Sequence, residues 1–107
     1  MAYNATEICV INGDDESLTF SVGSSIVDAV FVVQLQIGTD LLRKSLGGSD
    51  DVTLSGGILT VKIDESDFLD LGLVPLTVAR YSVITTDTDG KLNTFQHGDF
   101  KIFYHGK

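Results

Sequence analysis

Cysteine, proline and tryptophan are almost missing from this chain: its 107 residues include one Cys, one Pro and no Trp. A single cysteine excludes a disulfide bond within the chain, so the fold must be stabilised by its core. Cys9 lies in the apolar run formed by Ile8, Val10 and Ile11. We therefore predict that Cys9 is a small buried residue and not a reactive thiol.

Long apolar segments are missing too. The longest apolar run, residues 29–33, is far shorter than the ~20 residues of a membrane-spanning helix. Residues 1–7 contain neither the basic segment nor the apolar stretch of a signal peptide. These absences predict a protein that is synthesised in a cytoplasm and does not associate with a membrane.

Positive charge is scarce, because 7 Lys and Arg stand against 15 Asp and Glu, for a net charge of −8. A surface of this sign repels nucleic-acid phosphates and anionic lipids, so neither is an expected partner. The carboxylates are spread along the chain in pairs. Solvated turns explain that pattern more simply than an acidic binding patch does.

Glycine and alternating apolar residues are abundant, with 11 Gly and a hydrophobic content of 43%. Residues 81–104 show the pattern best: they predict three short strands separated by Asp89-Gly90 and by Gly98-Asp99. Asp-Gly between two alternating runs is a strong hairpin signal, because tight primed turns need positive φ.

The same pattern predicts strands along the rest of the chain, over residues 7–11, 17–22, 29–37, 41–46, 52–54, 58–63 and 78–86. In the third of these, Phe31, Val33, Leu35 and Ile37 share the predicted core face. Residues 64–71 predict one short helical turn, capped by a carboxylate or by a hydroxyl. We expect a flexible tail over residues 1–6 and a single domain over residues 7–107. That domain is an all-β sandwich of about 7–8 antiparallel strands.

Metal-ligating patterns are incomplete. Asp87, Asp89 and Gly90 resemble the opening of a calcium loop, but Gly98 stands at loop position twelve, where a Glu is needed. A hairpin turn explains these residues fully. The acidic runs over residues 14–16 and 50–51 would bind a cation only if folding joined them. We predict no metal site and no cofactor.

Catalytic patterns are missing as well. His97 and His105 are expected at opposite ends of a strand pair, both exposed, which disfavours a two-histidine site. No nucleophile has the strand–turn–helix context of a hydrolase, and neither Gly-Gly pair precedes a Lys-Ser/Thr phosphate loop. We therefore predict that the protein is not an enzyme.

Apolar residues opposite the core-facing set are the better functional clue. The alternation places Val30, Val32 and Ile84 on the outer face of their strands, and it places Phe103 on the face opposite to that of Phe100. They are either covered by a loop, ordinary isolated surface residues, or a docking patch for another subunit. We take Val30, Val32, Phe103 and Tyr104 as candidate protein-interaction residues, with residues 2–6 able to add as a strand to a neighbour.

The order of these patterns resembles the small immunoglobulin-like domains of tailed-bacteriophage structural proteins, among them the N-terminal domain of the baseplate upper protein. The resemblance covers most of the chain and departs from the family around residues 73–79, where a tight turn is usual. Its motifs are the turn and alternation patterns over residues 13–22, 28–33, 57–63, 64–71, 81–90 and 94–102.

The resemblance implies an immunoglobulin-like sandwich that is part of a virion, made in the host cytoplasm. Its expected partners are other virion proteins, either the major capsid protein or tail and neck proteins, contacted by many symmetric copies. We expect no receptor-binding or trimeric extension after the domain, an expectation that favours a free-standing capsid decoration or cement protein, or a neck, tail or baseplate subunit. The alternative is an adhesion module that binds host-surface carbohydrate or cations through residues 50–51 and 87–90.

Overall fold

A computed structural model describes residues 4–36, 38–47, 51–64, 66–68, 71 and 75–104. Most of these residues lie in β-strands. The described residues form nine strands in two sheets. The strands are β1 (Asn4–Ala5), β2 (Ile8–Ile11), β3 (Glu16–Ser21), β4 (Ile26–Gln36), β5 (Thr39–Ser45), β6 (Val52–Ser55), β7 (Ile58–Ile63), β8 (Leu76–Asp87) and β9 (Leu92–Phe103).

The strand order is that of an immunoglobulin-like sandwich, which confirms the predicted fold class. The large sheet has the order β1-β9-β8-β4-β5, with β2 also paired to β9, and the small sheet has the order β3-β7-β6. The chain therefore changes sheets four times: between β2 and β3, between β3 and β4, between β5 and β6, and between β7 and β8. This is the order of an immunoglobulin domain whose C–F–G sheet, here β4, β8 and β9, carries two additional edge strands, β5 on one side and β1 with β2 on the other.

The N-terminal strand departs from the expected antiparallel arrangement. Both β1 and β2 pair with β9 in parallel and in one register, Asn4 with Gln96 and Ile8 with Phe100. They are thus two halves of a single edge strand. Asn4 and Ala5, expected in a free tail, pair with this chain's own β9.

The region predicted as three short strands contains two long ones, β8 and β9. Only the Asp89-Gly90 turn separates strands, and Gly90 has the positive φ of 83° that such a turn requires. Gly98 and Asp99 lie inside β9, paired with Tyr81 and Arg80. The prediction of a break there was wrong, because Gly inside a strand also marks a site where another backbone comes close.

The segment expected to form a helical turn is built from tight turns in its described part. The N–H of Asp67 donates to the carbonyl of Asp64 at 3.0 Å, and the N–H of Leu71 donates to the carbonyl of Phe68 at 3.1 Å. The carboxylate of Asp67 accepts a 2.8 Å bond from the N–H of Asp64, as in a capping box. Phe68 is thereby buried against Phe100, with ring centroids 5.8 Å apart.

The core lies between the sheets and is aromatic at its centre. The ring of Phe31 lies 6.1 Å from that of Phe20, 6.0 Å from that of Tyr81 and 5.9 Å from that of Phe100. Phe20 belongs to the small sheet and the other three to the large one. Aromatic contacts of this kind contribute about 0.5–1.5 kcal/mol each beyond the area they bury.

Two expectations about the core fail. Leu35 is 44% exposed, because register shifts between β4 and β5 turn the end of β4 away from the other sheet; Ile37 lies outside the described residues. Cys9 is exposed, because the alternation of β2 directs Val10, only 1% exposed, into the core instead.

The edge strand formed by β1 and β2 accepts a hydrogen bond from a buried core residue. The Tyr81 hydroxyl donates to the Thr6 carbonyl at 2.6 Å and accepts from the Gln96 amide at 2.8 Å. Burial raises the pKa of Tyr81, although the bond from Gln96 acts in the opposite direction. Gly98 leaves the space for this contact: a Cβ there would overlap the Thr6 carbonyl oxygen and lie 2.9 Å from its carbonyl carbon.

A buried ion cluster fixes the connections at one side of the sandwich. The Lys44 ammonium, 6% exposed, lies 2.8 Å from Asp51 and 2.7 Å from Asp67, and donates to the Lys62 carbonyl at 2.7 Å. Burial lowers the pKa of Lys44, but hydrogen bonds and charges from Asp51 and Asp67 exceed that effect, so its pKa is raised. One side chain thus ties β5, the start of β6, the end of β7 and the turn at Asp67.

Replacing Gly98 by Ala is expected to destabilise the protein by about 2 kcal/mol, because the new methyl group must displace the Thr6 backbone. Thermal melting measures the loss. Hydrogen exchange should accelerate at the amides of Thr6 and Asn12, which donate to β9. Ser82→Ala, half-buried on the outer face of β8, is the control. Equal melting temperatures for the two variants would contradict the close approach.

Replacing Lys44 by Met is expected to cost about 3 kcal/mol at neutral pH, because Asp51 and Asp67 lose their shared cation. Lys91→Met, at an exposed site, is the control for loss of a positive charge. Urea unfolding measures both.

The Lys44 contribution also has a defined pH dependence. Since the folded pKa of Lys44 lies above its ordinary value of 10.5, its stabilisation is complete below that pH and is lost as the pH rises through the folded pKa. The difference in unfolding free energy between the wild type and Lys44→Met should therefore narrow above pH 10.5. A difference that stays constant across this range would show that the ammonium charge is not responsible.

Candidate docking surface

One end of the outer face of the large sheet carries a group of neighbouring apolar residues. Strand register places Phe103 of β9 between Ile11 of β2 and Leu76 of β8. Val78 follows one step further along β8 on the same face. Leu76 is 43% and Val78 is 51% exposed. We call Ile11, Leu76, Val78 and Phe103 the apolar corner.

A groove with a volume of about 630 Å³ borders the apolar corner. Its lining consists of Cys9, Val10, Ile11, Asp14, Glu16 and Phe103. The Glu16 carboxylate accepts a 2.8 Å hydrogen bond from the N–H of Ile11, which holds the start of β3 beside the end of β2. The lining of the groove therefore combines apolar side chains with two carboxylates.

A band of charges crosses the same face next to the apolar corner. Lys101 pairs with Glu7 at 2.8 Å, and Arg80 lies 3.9 Å from Asp99. The hydrogen bond and the opposite charge raise the pKa of Lys101 and lower that of Glu7. Because these groups are solvated, the pairs add little stability. They do mark one boundary of the apolar corner.

The four interaction residues predicted from the sequence do not form one surface. Val30 pairs with Ile84, and eight positions along β8 separate Ile84 from Leu76, a distance of about 26 Å. Val32 is 5% exposed, so its side chain offers little area to a partner. Phe103 belongs to the apolar corner.

Tyr104 lies next to the apolar corner, half-buried, and its N–H donates to the Pro75 carbonyl at 3.0 Å. Ile11, Leu76 and Val78 were missed from the sequence. The predicted strand began at residue 78, which left Leu76 out. Nothing in local alternation says that β2 would be the parallel neighbour of β9. The one local signal was the alternation of Leu76 and Val78 directly after Pro75.

The exposed thiol is not activated. Partial desolvation, followed by the hydrogen bond to Glu7 and its negative charge, raises the pKa of Cys9. The sulfur donates to the Glu7 carboxylate at 3.6 Å. A nucleophilic cysteine needs a lowered pKa, so this arrangement favours the unreactive thiol.

The loop carboxylates considered for cation binding serve the fold. Asp87 accepts hydrogen bonds from the N–H groups of Asp89 and Lys91, at 2.9 and 3.0 Å, which closes the β8–β9 turn. Asp51 pairs with Lys44; Asp50 lies outside the described residues. No group of three or more His, Cys, Asp or Glu side chains suited to a metal ion occurs among the residues described.

The two histidines are not both at strand ends. His97 lies in the interior of β9, half-buried and opposite Ser82, and its Nδ1 is 3.4 Å from the Arg80 guanidinium. The expectation of an exposed strand end was wrong for His97, because β9 continues through Gly98. His105 lies outside the described residues. Within the described part of the chain, no helix has the length and apolar character needed to cross a membrane.

Comparison with known proteins adds no relative: no protein-family model matches the chain, and no curated protein sequence matches it.

Proposed function

We propose that this protein is a non-enzymatic structural subunit of a bacteriophage virion that docks onto other virion proteins. The virion assignment rests on the resemblance of its turn and alternation motifs to phage immunoglobulin-like domains. The docking role rests on one structural observation, the apolar corner. Its members come from three neighbouring strands of one sheet, so a partner meets a preformed surface.

The apolar corner suits a contact that is weak in one copy and strong in many. Covering the exposed parts of Leu76 and Val78 contributes about 1 kcal/mol for each residue. Such a gain does not hold one subunit firmly. A particle presents its binding sites in symmetric arrays, so neighbouring attachments add through effective concentration.

The charge of the chain favours a protein partner. A net charge of −8 repels nucleic acid, which disfavours a role on the packaged genome. Candidate partners are the major capsid protein, for a decoration or cement subunit, and the neck, tail or baseplate proteins. The outer-face position of the apolar corner is compatible with each of these attachments.

An adhesion module for host carbohydrate or cations is the second candidate. The contacts of Asp87 and Asp51 with their own chain disfavour it, because these carboxylates would have to leave the turn and the Lys44 cluster. Added calcium is therefore expected to leave the melting temperature unchanged. A rise that is abolished by Asp87→Asn would favour the adhesion module instead.

The test of the proposed function has two steps. Mass spectrometry of purified particles from the encoding phage should find the chain in multiple copies. Purified protein should then co-sediment with particles that lack it, and a Leu76→Ser, Val78→Ser variant should bind at least tenfold less. Leu92→Ser is the matched control, since Leu92 is 71% exposed and lies at the opposite end of β9.

Each outcome has a clear meaning. Absence of the chain from particles contradicts the virion assignment. Presence in particles with undiminished binding of the double variant contradicts the apolar corner as the contact surface. Melting temperatures of both variants close to that of the wild type are required, and are expected because the replaced side chains are exposed.

A further inference from the structure

Among the described residues, the outer edge of β3 has no strand paired with it. The N–H of Val22 donates to the Gly57 carbonyl at 2.9 Å, just beyond the paired part of β3 and β7. Hydrogen-bonded pairs alternate in antiparallel strands, so Phe20, Leu18 and Glu16 also exchange bonds with β7. Ser17, Thr19 and Ser21 therefore direct their N–H and C=O groups away from β7.

A hydrogen bond on the other side of β7 supports this assignment of which β3 residues bond to β7 and which face away from it. Lys62, opposite Ser17, donates its N–H to the Asp51 carbonyl at 2.8 Å, towards β6 and away from β3. Within the described part of the chain, β3 pairs with β7 alone. Three residues in alternate positions thus present a row of backbone donors and acceptors.

The other edges carry features that hinder pairing. β5 has register shifts against β4 and an Arg43–Asp40 ion pair at 2.9 Å, and β6 is only four residues long. At the end of β2, the N–H of Ile11 donates to the Glu16 carboxylate, and the carbonyl of Ile11 accepts a hydrogen bond from the N–H of Asp14. β3 is regular and contains neither Lys nor Pro, the usual protective residues of an edge strand.

The end of β3 at Glu16 has negatively charged surroundings. Asp14 and Glu16 lie at the groove beside β2, and a second hollow of about 330 Å³ is lined by Asp15, Glu16, Ser17, Lys62, Ile63 and Asp64. Carboxylates therefore outnumber cations around Glu16, whereas the end at Ser21 has no charged residue in its strand. A segment lying along β3 would therefore meet negative charge at the Glu16 end.

We propose that β3 is a strand-addition site for an extended segment of another protein, with alternating apolar residues and a Lys or Arg placed beside Glu16. Backbone pairing with Ser17, Thr19 and Ser21 supplies the attachment, and the acidic end selects the partner's charge and direction. A second copy of this chain fits less well, because both copies carry a charge of −8 and β3 offers no cation. The backbone groups of the strand-addition site belong to β3 and not to the apolar corner, although Glu16 also lines the groove beside that corner. The proposal does not depend on a virion role.

A peptide selection tests the strand-addition site without an identified partner. A yeast-displayed library of random dodecapeptides is selected for binding to the purified protein, with the Thr19→Pro variant as counter-target. This substitution removes an N–H that β7 does not use, and Pro is tolerated on edge strands. Thr19→Ala, which keeps the N–H, is the matched control. Both variants are first checked for a folded amide spectrum.

The selected peptides are expected to alternate apolar residues and to carry Lys or Arg at one end. Their binding should shift the amide signals of Ser17, Thr19 and Ser21, persist in Thr19→Ala, and fall at least tenfold in Thr19→Pro and in Glu16→Lys. If Thr19→Pro fails to fold, peptides N-methylated at alternate residues replace it as the block. Enrichment of no sequence, or binding that leaves these three amides unshifted, overturns the proposal. Self-association through β3 that is abolished by Thr19→Pro overturns it in favour of a dimer.

Discussion

The two sheets are held together by the aromatic rings that surround Phe31. Phe31 is fully buried and contacts Phe20 across the interface and Tyr81 and Phe100 within its own sheet. The four strands that carry these rings, β3, β4, β8 and β9, must therefore direct their alternate residues toward the interface between the sheets. A slip of one position would expose the rings and bury their polar neighbours, so the register of four strands depends on this cluster.

That constraint decides what lies on the outer face. With Phe100 and Ile102 inside, Lys101 and Phe103 are outside; with Ala79 inside, Val78 is outside. The interior does not need Phe103 or Val78, yet the outer residues at this end of three adjacent strands are apolar. Isolated surface residues of this kind are ordinary. A group on adjacent strands forms a continuous area, which is why the apolar corner carries the functional argument.

Local alternation was enough to predict most strands and the sandwich they form. Ile58–Ile63 was predicted to the residue, and Phe20, Val61 and Val83 are buried as their alternation requires. Failures occur where a distant segment overrides the local pattern. Gly98 was predicted to form a turn. It is a glycine because the Thr6 backbone, 92 positions earlier in the chain, occupies the space that a side chain at position 98 would fill. The fit of Tyr81 to Thr6 and of Lys44 to Asp67 involves pairs that no short window of sequence contains.

The docking surface was only partly predictable for the same reason. Phe103 was identified from its own strand, but Ile11 joins it only through the parallel pairing of β2 with β9. Val30 and Val32 satisfied the same rule of facing away from the core, and Val32 is nevertheless covered by its neighbours. Alternation tells which face a residue is on. It does not tell whether that part of the face remains accessible.

Charge and apolar area act in opposite directions on how this chain associates. Copies with a net charge of −8 repel one another, and the repulsion is strongest where they are crowded. The apolar corner and the open edge of β3 both favour association, but neither supplies a cation in excess. Under the two proposals, attraction comes from positive charge that a partner brings to the acidic surroundings of Glu16 and from apolar surface that a partner brings to Phe103. Under the proposed function, crowded copies are held by contacts with that partner and not by contacts with each other.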